Sequence, residues 1–330
     1  VNVEPAVLAT RSPAHLRPLL DEALRSLRVT VEVTERALVA HPAGLLAAVA
    51  RTRELGWTVA LDDVGAHPDS LALMPFLQPD VIKLDLRLVQ GRPDREVAKV
   101  VNAVLAQAEA TGARILAEGV ETEEHLAVAL ATSASLAQGW YFGRPQPTFT
   151  TLDPPEAPLE FGGGPRLERQ RTPFELMADD RRAVAPKRVM RAMSLHLERN
   201  AFVLPERPVI LSTFQDVGFF TADTRRRYAA LSRTSAFVAA MGVGIPPEPE
   251  PGVRGADLAP DTRLRGEWNV VVVGPHFAGA LSGHDMGDDG DDDARRFEYA
   301  ITHERGRVLA AARRLMTEVV PMSAGEGIMG

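Results

Sequence analysis

Apolar and polar positions alternate in two different ways along the first half of the chain. Short runs rich in Val, Ile and Leu, such as 29–33 and 58–62, are typical of buried strands. Longer stretches rich in Ala and Leu, such as 42–55 and 95–112, have helical spacing and end at or next to a glycine. This alternation repeats roughly every 25–35 residues and predicts βαβ units around a parallel sheet.

Further predicted elements continue the series. They are a short helix over 70–77, strands over 80–85 and 114–119, a helix over 122–133 with a cap-like Thr-Glu-Glu start, and a short strand over 137–143. Asn2, within "VNV", is expected to end one more strand, which makes about six where a closed (β/α) barrel has eight. Because the chain begins with Val1 and not Met, we expect a fragment, an α/β fold with an incomplete TIM-like barrel whose first units lie upstream.

The pattern changes after Pro145, where a segment rich in Pro and Gly has no periodicity and predicts a linker. Strands are predicted again at 208–215 and 268–275, and helices at 227–242 and 306–320. These elements indicate a smaller α+β domain. The predicted boundaries are 1–147 for the barrel, 148–170 for the linker and 171–330 for the second domain.

Acidic residues occur where the predicted strands of the first half end. They are Glu32, Asp62, Asp63, Asp85 and Glu118. The carboxyl ends of barrel strands share one rim, where active sites are built. Mg²⁺ prefers oxygen ligands, and two such ions about 3.5–4 Å apart can clamp a phosphodiester and activate a water. The acids, with Asn2 as a neutral donor and Lys83 as a nearby cation, predict such a site.

Each of these residues also has a simpler interpretation. An acid at a strand end can be the N-cap of the next helix, and Asp63 can be a solvated turn residue. Lys83 can form a structural ion pair with Asp85 or Asp62. Gln138 can serve only to hydrogen-bond backbone in its turn. The occurrence of several acids on one rim favours the metal site over these alternatives.

Two features of the second half are candidate ligand-binding sites. The acidic run 287–296 suggests calcium, but it lacks the alternation and the terminal glutamate of an EF-hand loop, which favours a solvated loop. His276 and His284 flank an apolar stretch. A sensory ligand site there is a less favoured interpretation of this pattern.

Composition narrows the choice of partners and location. The net charge of −7 argues against binding of a nucleic acid polymer by charge alone. The absence of cysteine excludes disulfides, thiolate zinc sites and cysteine nucleophiles, and it suits a cytoplasmic location. No apolar run approaches the ~20 residues needed to cross a bilayer, so no membrane partner is expected.

Five motifs over the first 147 residues carry a resemblance to a known family. They read "VEVTE", "LDDVG", "DVIKLD", "AEGVETEEH" and "QGWYFGRP", in this order. Together they resemble the EAL family of cyclic-di-GMP phosphodiesterases. The resemblance implies a modified TIM barrel that hydrolyses cyclic di-GMP to the linear dinucleotide pGpG with Mg²⁺ or Mn²⁺, and it leaves open a homodimer through the barrel.

The resemblance also implies roles for individual residues. The implied metal ligands are Asn2, Glu32, Asp62 and Glu118, with Asp63 holding the second metal or its water. The implied catalytic group includes Lys83, which would assist the water, Asp63, and Glu35, which would support the site from close by. The implied substrate-binding or loop-supporting residues are Asp85, Glu121 and Gln138.

The sequence departs from the family pattern in three places. The Glu-Ala-Leu motif, whose glutamate is a metal ligand, is expected upstream of residue 1. The loop 65–71 reads "GAHPDSL" where the family usually has Gly-Thr-Gly-Tyr-Ser-Ser-Leu, and Ser135 stands where an aspartate is common. The alternatives are therefore an inactive cyclic-di-GMP receptor or a signalling scaffold, and we expect negligible activity from residues 1–330 alone.

The second half resembles the DICT domain, a sensory module found beside EAL and GGDEF domains in bacterial signalling proteins. The stretches that carry this resemblance are "RPVILSTFQ", "VVVVGPHFAGALSGHDMGD" and "RRFEYAITHERGRVLAAARRLM". The resemblance implies regulation by a sensory ligand whose identity it does not specify.

Overall fold

The computed structural model describes residues 1–2, 14–67, 69–92, 94–147, 159–161, 170–178, 181–259, 261–289 and 291–319. The chain forms two compact units, one made of Val1–Glu35 and Arg51–Pro165 and the other of Arg36–Ala50 and Arg166–Gly330. Much of the predicted linker lies outside the described residues, and the predicted domain boundaries stay predictions.

A parallel sheet forms the centre of the first unit. Its strands, within the described residues, are β1 (Thr30–Thr34), β2 (Thr58–Val64), β3 (Val81–Leu84), β4 (Arg114–Ala117) and β5 (Leu136–Ala137), in the spatial order β1-β2-β3-β4-β5. Asn2 adds an isolated parallel bridge to Glu32 beside β1. Parallel strands in chain order, joined through helices, are the winding of a (β/α) barrel. The predicted fold class is confirmed in this respect.

Helices connect these strands. They are α1 (Arg17–Ser26), α2 (Glu35–Ala40), α3 (Pro42–Glu54), α4 (Ser70–Leu77), α5 (Leu86–Gln90), α6 (Arg95–Thr111) and α7 (Glu123–Ala131). The Asp94 side chain caps α6 by accepting from Val97 N at 2.9 Å, and the Thr122 side chain caps α7 by accepting from His125 N at 3.2 Å. Gly112 ends α6 in the left-handed conformation, with φ of 74°.

The predicted strand over 137–143 is wrong. Only Leu136 and Ala137 pair with β4, and the chain then turns through a 3₁₀ helix at Trp140–Phe142. The backbone of Gly139 passes so close to Val120 that an added Cβ would lie 2.1 Å from its carbonyl oxygen. Tyr141 N donates to the same oxygen at 3.0 Å, which holds the turn against the segment between β4 and α7.

The second unit contains a mixed sheet of seven strands among the described residues, in the order β6-β12-β11-β10-β7-β8-β9. The strands are β6 (Ala183–Pro186), β7 (Val209–Asp216), β8 (Phe237–Val243), β9 (Arg254–Asp257), β10 (Glu267–Val273), β11 (Ala278–Asp285) and β12 (Arg296–Thr302). Its helices are α8 (Pro173–Leu176), α9 (Lys187–Val203), α10 (Ala222–Thr234) and α11 (Arg305–Met316).

Helices cover both faces of this sheet. Helices α9 and α10 pack on the face that carries Val270 and Val272, while α11 contacts β7, β10 and β11 on the other face. Residues 36–50 also group with this unit, where Arg254 Nη1 donates to the carbonyl oxygen of Val39 at 2.8 Å. In the part of the chain that the structure describes, no helix combines the length and apolar character that a membrane span requires.

The predicted helix over 227–242 is half wrong. Helix α10 ends at Thr234, and the residues after it form β8 between β7 and β9. Residues 237–242 are all buried. A continuously apolar run of this length does not distinguish a strand covered on both faces from a buried helix. The predicted strands 208–215 and 268–275 are confirmed within two residues.

Candidate metal centre

The parallel sheet of the first unit brings several predicted residues to one edge. Glu32 lies in β1, Asp62 in β2 and Lys83 in β3, while Glu118 follows the last residue of β4. Neighbouring parallel strands end at the same edge of a sheet, so side chains near those ends can meet.

The ammonium of Lys83 is the common point of this group. Its Nζ donates a hydrogen bond to Glu32 Oε2 at 3.0 Å and forms ion pairs with Asp62 Oδ1 at 2.7 Å and Glu118 Oε1 at 2.9 Å. The Asp62 contact has ion-pair distance but not the angle of a hydrogen bond. The three carboxylates, although far apart in sequence, therefore point at one position in space.

A bulge in β2 lets two adjacent aspartates face this group. In a regular strand, neighbouring side chains point to opposite faces. Here the pairing with β3 shifts between Leu61 and Val64, and Asp63 has a left-handed φ of 55°, which is uncommon for any residue but glycine. As a result, one carboxylate oxygen each of Asp62, Asp63 and Glu118 lies within 4.8 Å of the others.

Burial and charge perturb the titration of the group. Burial lowers the pKa of Lys83, but the close contacts and charges of its three acidic partners outweigh it, so the pKa lies above its ordinary value. Burial raises the pKa of Glu118; Lys83 opposes the rise, and Asp62 and Asp63 add to it.

The donor set fits a hard divalent cation. Among the described residues, the carboxylates of Glu32, Asp62 and Glu118 contact the ammonium of Lys83, and Asp63 lies beside two of them, so the ionised acids outnumber this buried cation. Carboxylate oxygens are the ligands that Mg²⁺ and Mn²⁺ prefer. These residues could hold such an ion.

The other predicted site residues lie beside the sheet or in segments that follow its strands. Asn2 lies beside β1 through its backbone bridge, and the Glu35 side chain is outside the described part of the structure. The backbone N–H of Glu121 donates to His125 Nδ1 at 3.3 Å, and the carbonyl oxygen of Gln138 accepts from Val120 N at 3.1 Å. The functional roles assigned to these residues stay predictions.

Asp85 acts as a helix cap in this structure. Its carboxylate accepts from Arg87 N at 2.9 Å and from Arg87 Nε at 2.8 Å, at the start of α5. This is the simpler interpretation considered for acids at strand ends. Arg87 was not predicted as a site residue; its pKa is raised mainly by Asp85, and the charge of Asp63 adds to the rise. The only sequence signal for it is its position two residues after Asp85.

In the second unit, two carboxylates of the acidic run 287–296 are paired with basic side chains. Asp288 accepts from Arg296 Nη2 at 2.9 Å, and Asp292 pairs with Lys187 and with Arg295. These ion pairs supply the positive charge that a calcium ion would otherwise supply. His284 stacks on Phe174 with ring centroids 5.8 Å apart.

Comparison with known families agrees with this geometry. Residues 1–145 match the model of the EAL domain, and residues 169–285 match that of the sensory domain in diguanylate cyclases and two-component system, DICT. The chain is therefore similar to the EAL domain over its first part and to the DICT domain over the part that follows.

Named relatives share the first part of the chain. The cyclic di-GMP phosphodiesterase RocR of Pseudomonas aeruginosa is 37% identical over 158 residues, which cover 46% of this chain and 40% of RocR. The probable cyclic di-GMP phosphodiesterase PdeG of Escherichia coli is 35% identical over 123 residues, 37% of this chain and 24% of PdeG. This chain therefore spans less than half the length of either relative.

Among solved structures, the calcium/cy-diGMP complex of Klebsiella pneumoniae BlrP1 matches this chain with 32% sequence identity. The match covers 44% of this chain and 38% of the BlrP1 chain. The TM-score between the two structures is 0.39.

Proposed function

We propose that the EAL domain of this protein hydrolyses cyclic di-GMP to pGpG in a reaction that requires Mg²⁺ or Mn²⁺. The observation that carries the proposal is the convergence of Glu32, Asp62 and Glu118 on one point, with Asp63 at its edge. The similarity to the cyclic di-GMP phosphodiesterase RocR and to the probable cyclic di-GMP phosphodiesterase PdeG supports the choice of substrate.

The metal ligands in this proposal are Asn2, Glu32, Asp62 and Glu118, with Asp63 toward a second ion. A bound divalent ion would neutralise charge on the phosphodiester and make a water more acidic. The protein fixes the donor oxygens in advance, because they lie on adjacent strands of one sheet and do not have to be gathered from loops.

The two cations of the site have different tasks. Lys83 is buried and would donate hydrogen bonds from its ammonium to the attacking water or to a phosphate oxygen. Arg87 is exposed at the start of α5 and would attract the anionic dinucleotide and orient one phosphate through its guanidinium.

The remaining roles extend the same proposal. Glu35 would support the site, Asp85 would hold Arg87 in position, and Glu121 and Gln138 would support the surrounding loops or contact the substrate. The DICT domain would regulate turnover in response to a sensory ligand. The protein would act in the cytoplasm, as a homodimer through the barrel or as a monomer.

A specific departure favours a second candidate, a receptor that binds cyclic di-GMP without hydrolysing it. In the loop 65–71, Ser70 Oγ accepts from Gly65 N at 3.3 Å and donates to the carbonyl oxygen of His67 at 2.7 Å. Gly65 and Ser70 keep the residue types of the family pattern, and the departure lies in residues 66–69 between them. If this loop no longer supports turnover, the carboxylates can still bind a metal and the nucleotide.

The decisive experiment uses the protein expressed from its complete natural reading frame. It is incubated with cyclic di-GMP and Mg²⁺ or Mn²⁺, and pGpG is measured by liquid chromatography. We expect turnover that is lost with EDTA and with Asp62→Ala, and retained with Asp223→Ala, an exposed aspartate of the second unit. No product, together with nucleotide binding by calorimetry, would favour the receptor; no product and no binding would reject both.

A further inference from the structure

Lys83 occupies the position to which the proposed metal ligands point. Its side chain is 8% exposed, and its Nζ lies 2.7–3.0 Å from oxygens of Glu32, Asp62 and Glu118. Lys83 is therefore a buried cation that is already bound by three carboxylates of the acidic cluster. Its neighbours Ile82 and Leu84 in β3 are buried apolar residues, which anchor the base of the lysine side chain.

A divalent cation and this ammonium cannot hold the same oxygens together. Mg²⁺ binds oxygen ligands at about 2.0–2.1 Å, closer than an ammonium approaches them. An ion bound to any of these oxygens would lie within about 5 Å of Nζ, where two positive charges repel. The N–H groups of Lys83 also occupy oxygen lone pairs that a metal needs.

We propose that Lys83 is a built-in counter-ion of the metal centre, and that its ammonium must leave the carboxylates before a divalent cation can bind. The inference rests on the proposed metal-dependent function and adds to it a control on metal loading. In the absence of metal, Lys83 neutralises part of the acidic cluster. The same contact lowers the affinity for Mg²⁺ or Mn²⁺, because binding must first break it.

The test measures metal affinity and not activity. Mn²⁺ binding is followed by the electron paramagnetic resonance signal of free Mn²⁺ for wild type, Lys83→Met and Lys99→Met, in the absence of nucleotide. We expect Lys83→Met to bind Mn²⁺ roughly tenfold tighter or more, because both the competitor and its repulsion are removed. Lys99, which pairs with Glu96 on the surface of α6, is the matched control and should leave the affinity unchanged.

A second measurement needs no change at Lys83 and covers the case in which Lys83→Met does not fold. The sequence contains three lysines, Lys83, Lys99 and Lys187. Protein labelled with ¹³C at lysine Cε therefore gives three resonances, which Lys99→Arg and Lys187→Arg assign. Saturating Mg²⁺ should shift the Lys83 resonance and leave the other two in place.

The outcomes separate this inference from the proposed function. Equal or weaker Mn²⁺ binding by folded Lys83→Met, or an unmoved Lys83 resonance at saturating Mg²⁺, overturns the inference even if cyclic di-GMP is hydrolysed. Tighter binding by Lys83→Met supports the inference even if no hydrolysis is found. Failure of both wild type and Lys83→Met to bind Mn²⁺ overturns the inference together with the metal-dependent function.

Discussion

At the scale of single residues, the candidate site depends on one unusual backbone conformation and one buried charge. Asp63 in its left-handed conformation turns two consecutive carboxylates toward the same cluster, and Lys83 offsets part of their repulsion. Removing one partner of a buried ionic group is more destabilising than removing an exposed one, because the remaining charges stay desolvated. The metal-free protein should therefore depend on Lys83 for stability.

The first prediction concerns this dependence. In EDTA, Lys83→Met should lower the free energy of unfolding by about 3 kcal/mol, since Glu32, Asp62 and Glu118 lose their shared cation. Lys99→Met should cost less than about 1 kcal/mol, as expected for a surface pair. Urea unfolding followed by circular dichroism measures both. Equal stability of the two variants would show that the Lys83 contacts contribute little.

The second prediction concerns pH and a buried carboxylate of the second unit. Glu198 is 2% exposed and accepts from Tyr228 Oη at 3.0 Å; burial raises its pKa, and Arg227 opposes the rise. A carboxyl group whose folded pKa lies above its unfolded value binds the proton more tightly in the folded state. Its contribution to stability is therefore present at low pH and is lost as pH rises through the folded pKa.

The experiment compares wild type with Glu198→Gln by urea unfolding between pH 5 and 8. Wild type should lose stability relative to Glu198→Gln as the pH rises, because glutamine cannot ionise. Glu109→Gln, at an exposed position of α6, should follow the wild-type profile. If the stability of wild type relative to Glu198→Gln stayed constant or increased as the pH rises, the sign of the pKa shift would be contradicted.

At the scale of elements, the β2 bulge and the turn after β5 determine where functional groups lie. Both are departures from regular strands, and the turn after β5 occurs where two backbones approach closely. The 3₁₀ turn at Trp140–Phe142 leaves all three of its aromatic side chains exposed, and Gly139 makes the turn compatible with Val120. A side chain at Gly139 would push the turn away from the segment that follows β4.

The third prediction tests this close approach. Gly139→Ala should lower the free energy of unfolding by about 3 kcal/mol, because its Cβ would meet the Val120 backbone at 2.1 Å. Gly112→Ala is the comparison, since its Cβ would meet nothing within 4 Å and only the left-handed φ opposes it, at about 1 kcal/mol. Chemical denaturation measures the two costs. If both substitutions lowered the free energy of unfolding equally, the turn at Gly139 would move away from Val120 without a loss of stability.

At the scale of the whole molecule, the two units differ in how their sheets are built and in what they could bind. The parallel sheet of the first unit gathers acids from separate strands at one edge. In the second unit, Asp288 and Asp292 are already paired with arginine and lysine. A divalent cation should therefore act on one unit and not on the other.

The fourth prediction follows from that contrast. Mn²⁺ at about one hundred times its dissociation constant should stabilise the unit that holds Asp62 by about 2.7 kcal/mol. Hydrogen exchange with mass spectrometry should show slower exchange in peptides covering β2 and β4. Peptides covering β10 and β11 should exchange as before. Equal protection in both units, or none in either, would contradict a metal centre at the predicted edge.

Much of the architecture was predictable because it depends on local signals. The βα rhythm, the caps at Thr122 and Gly112 and the positions of most strands follow from periodicity and turn chemistry. The errors have a physical cause. Over 227–242 the apolar run fits a buried strand as well as a helix, and over 137–143 the prediction missed a turn that Gly139 makes against Val120.

The sequence by itself determined which residue types stand at the strand ends, and its motifs carried the resemblance of each half to a known domain. Only the tertiary structure decided how these residues meet. It places Lys83 on three carboxylates at once, makes Asp85 a cap for α5, and turns Asp62 and Asp63 to one side through a bulge. The physical reason is that side-chain type is local, whereas distances between side chains on different strands depend on register, twist and burial of the whole sheet.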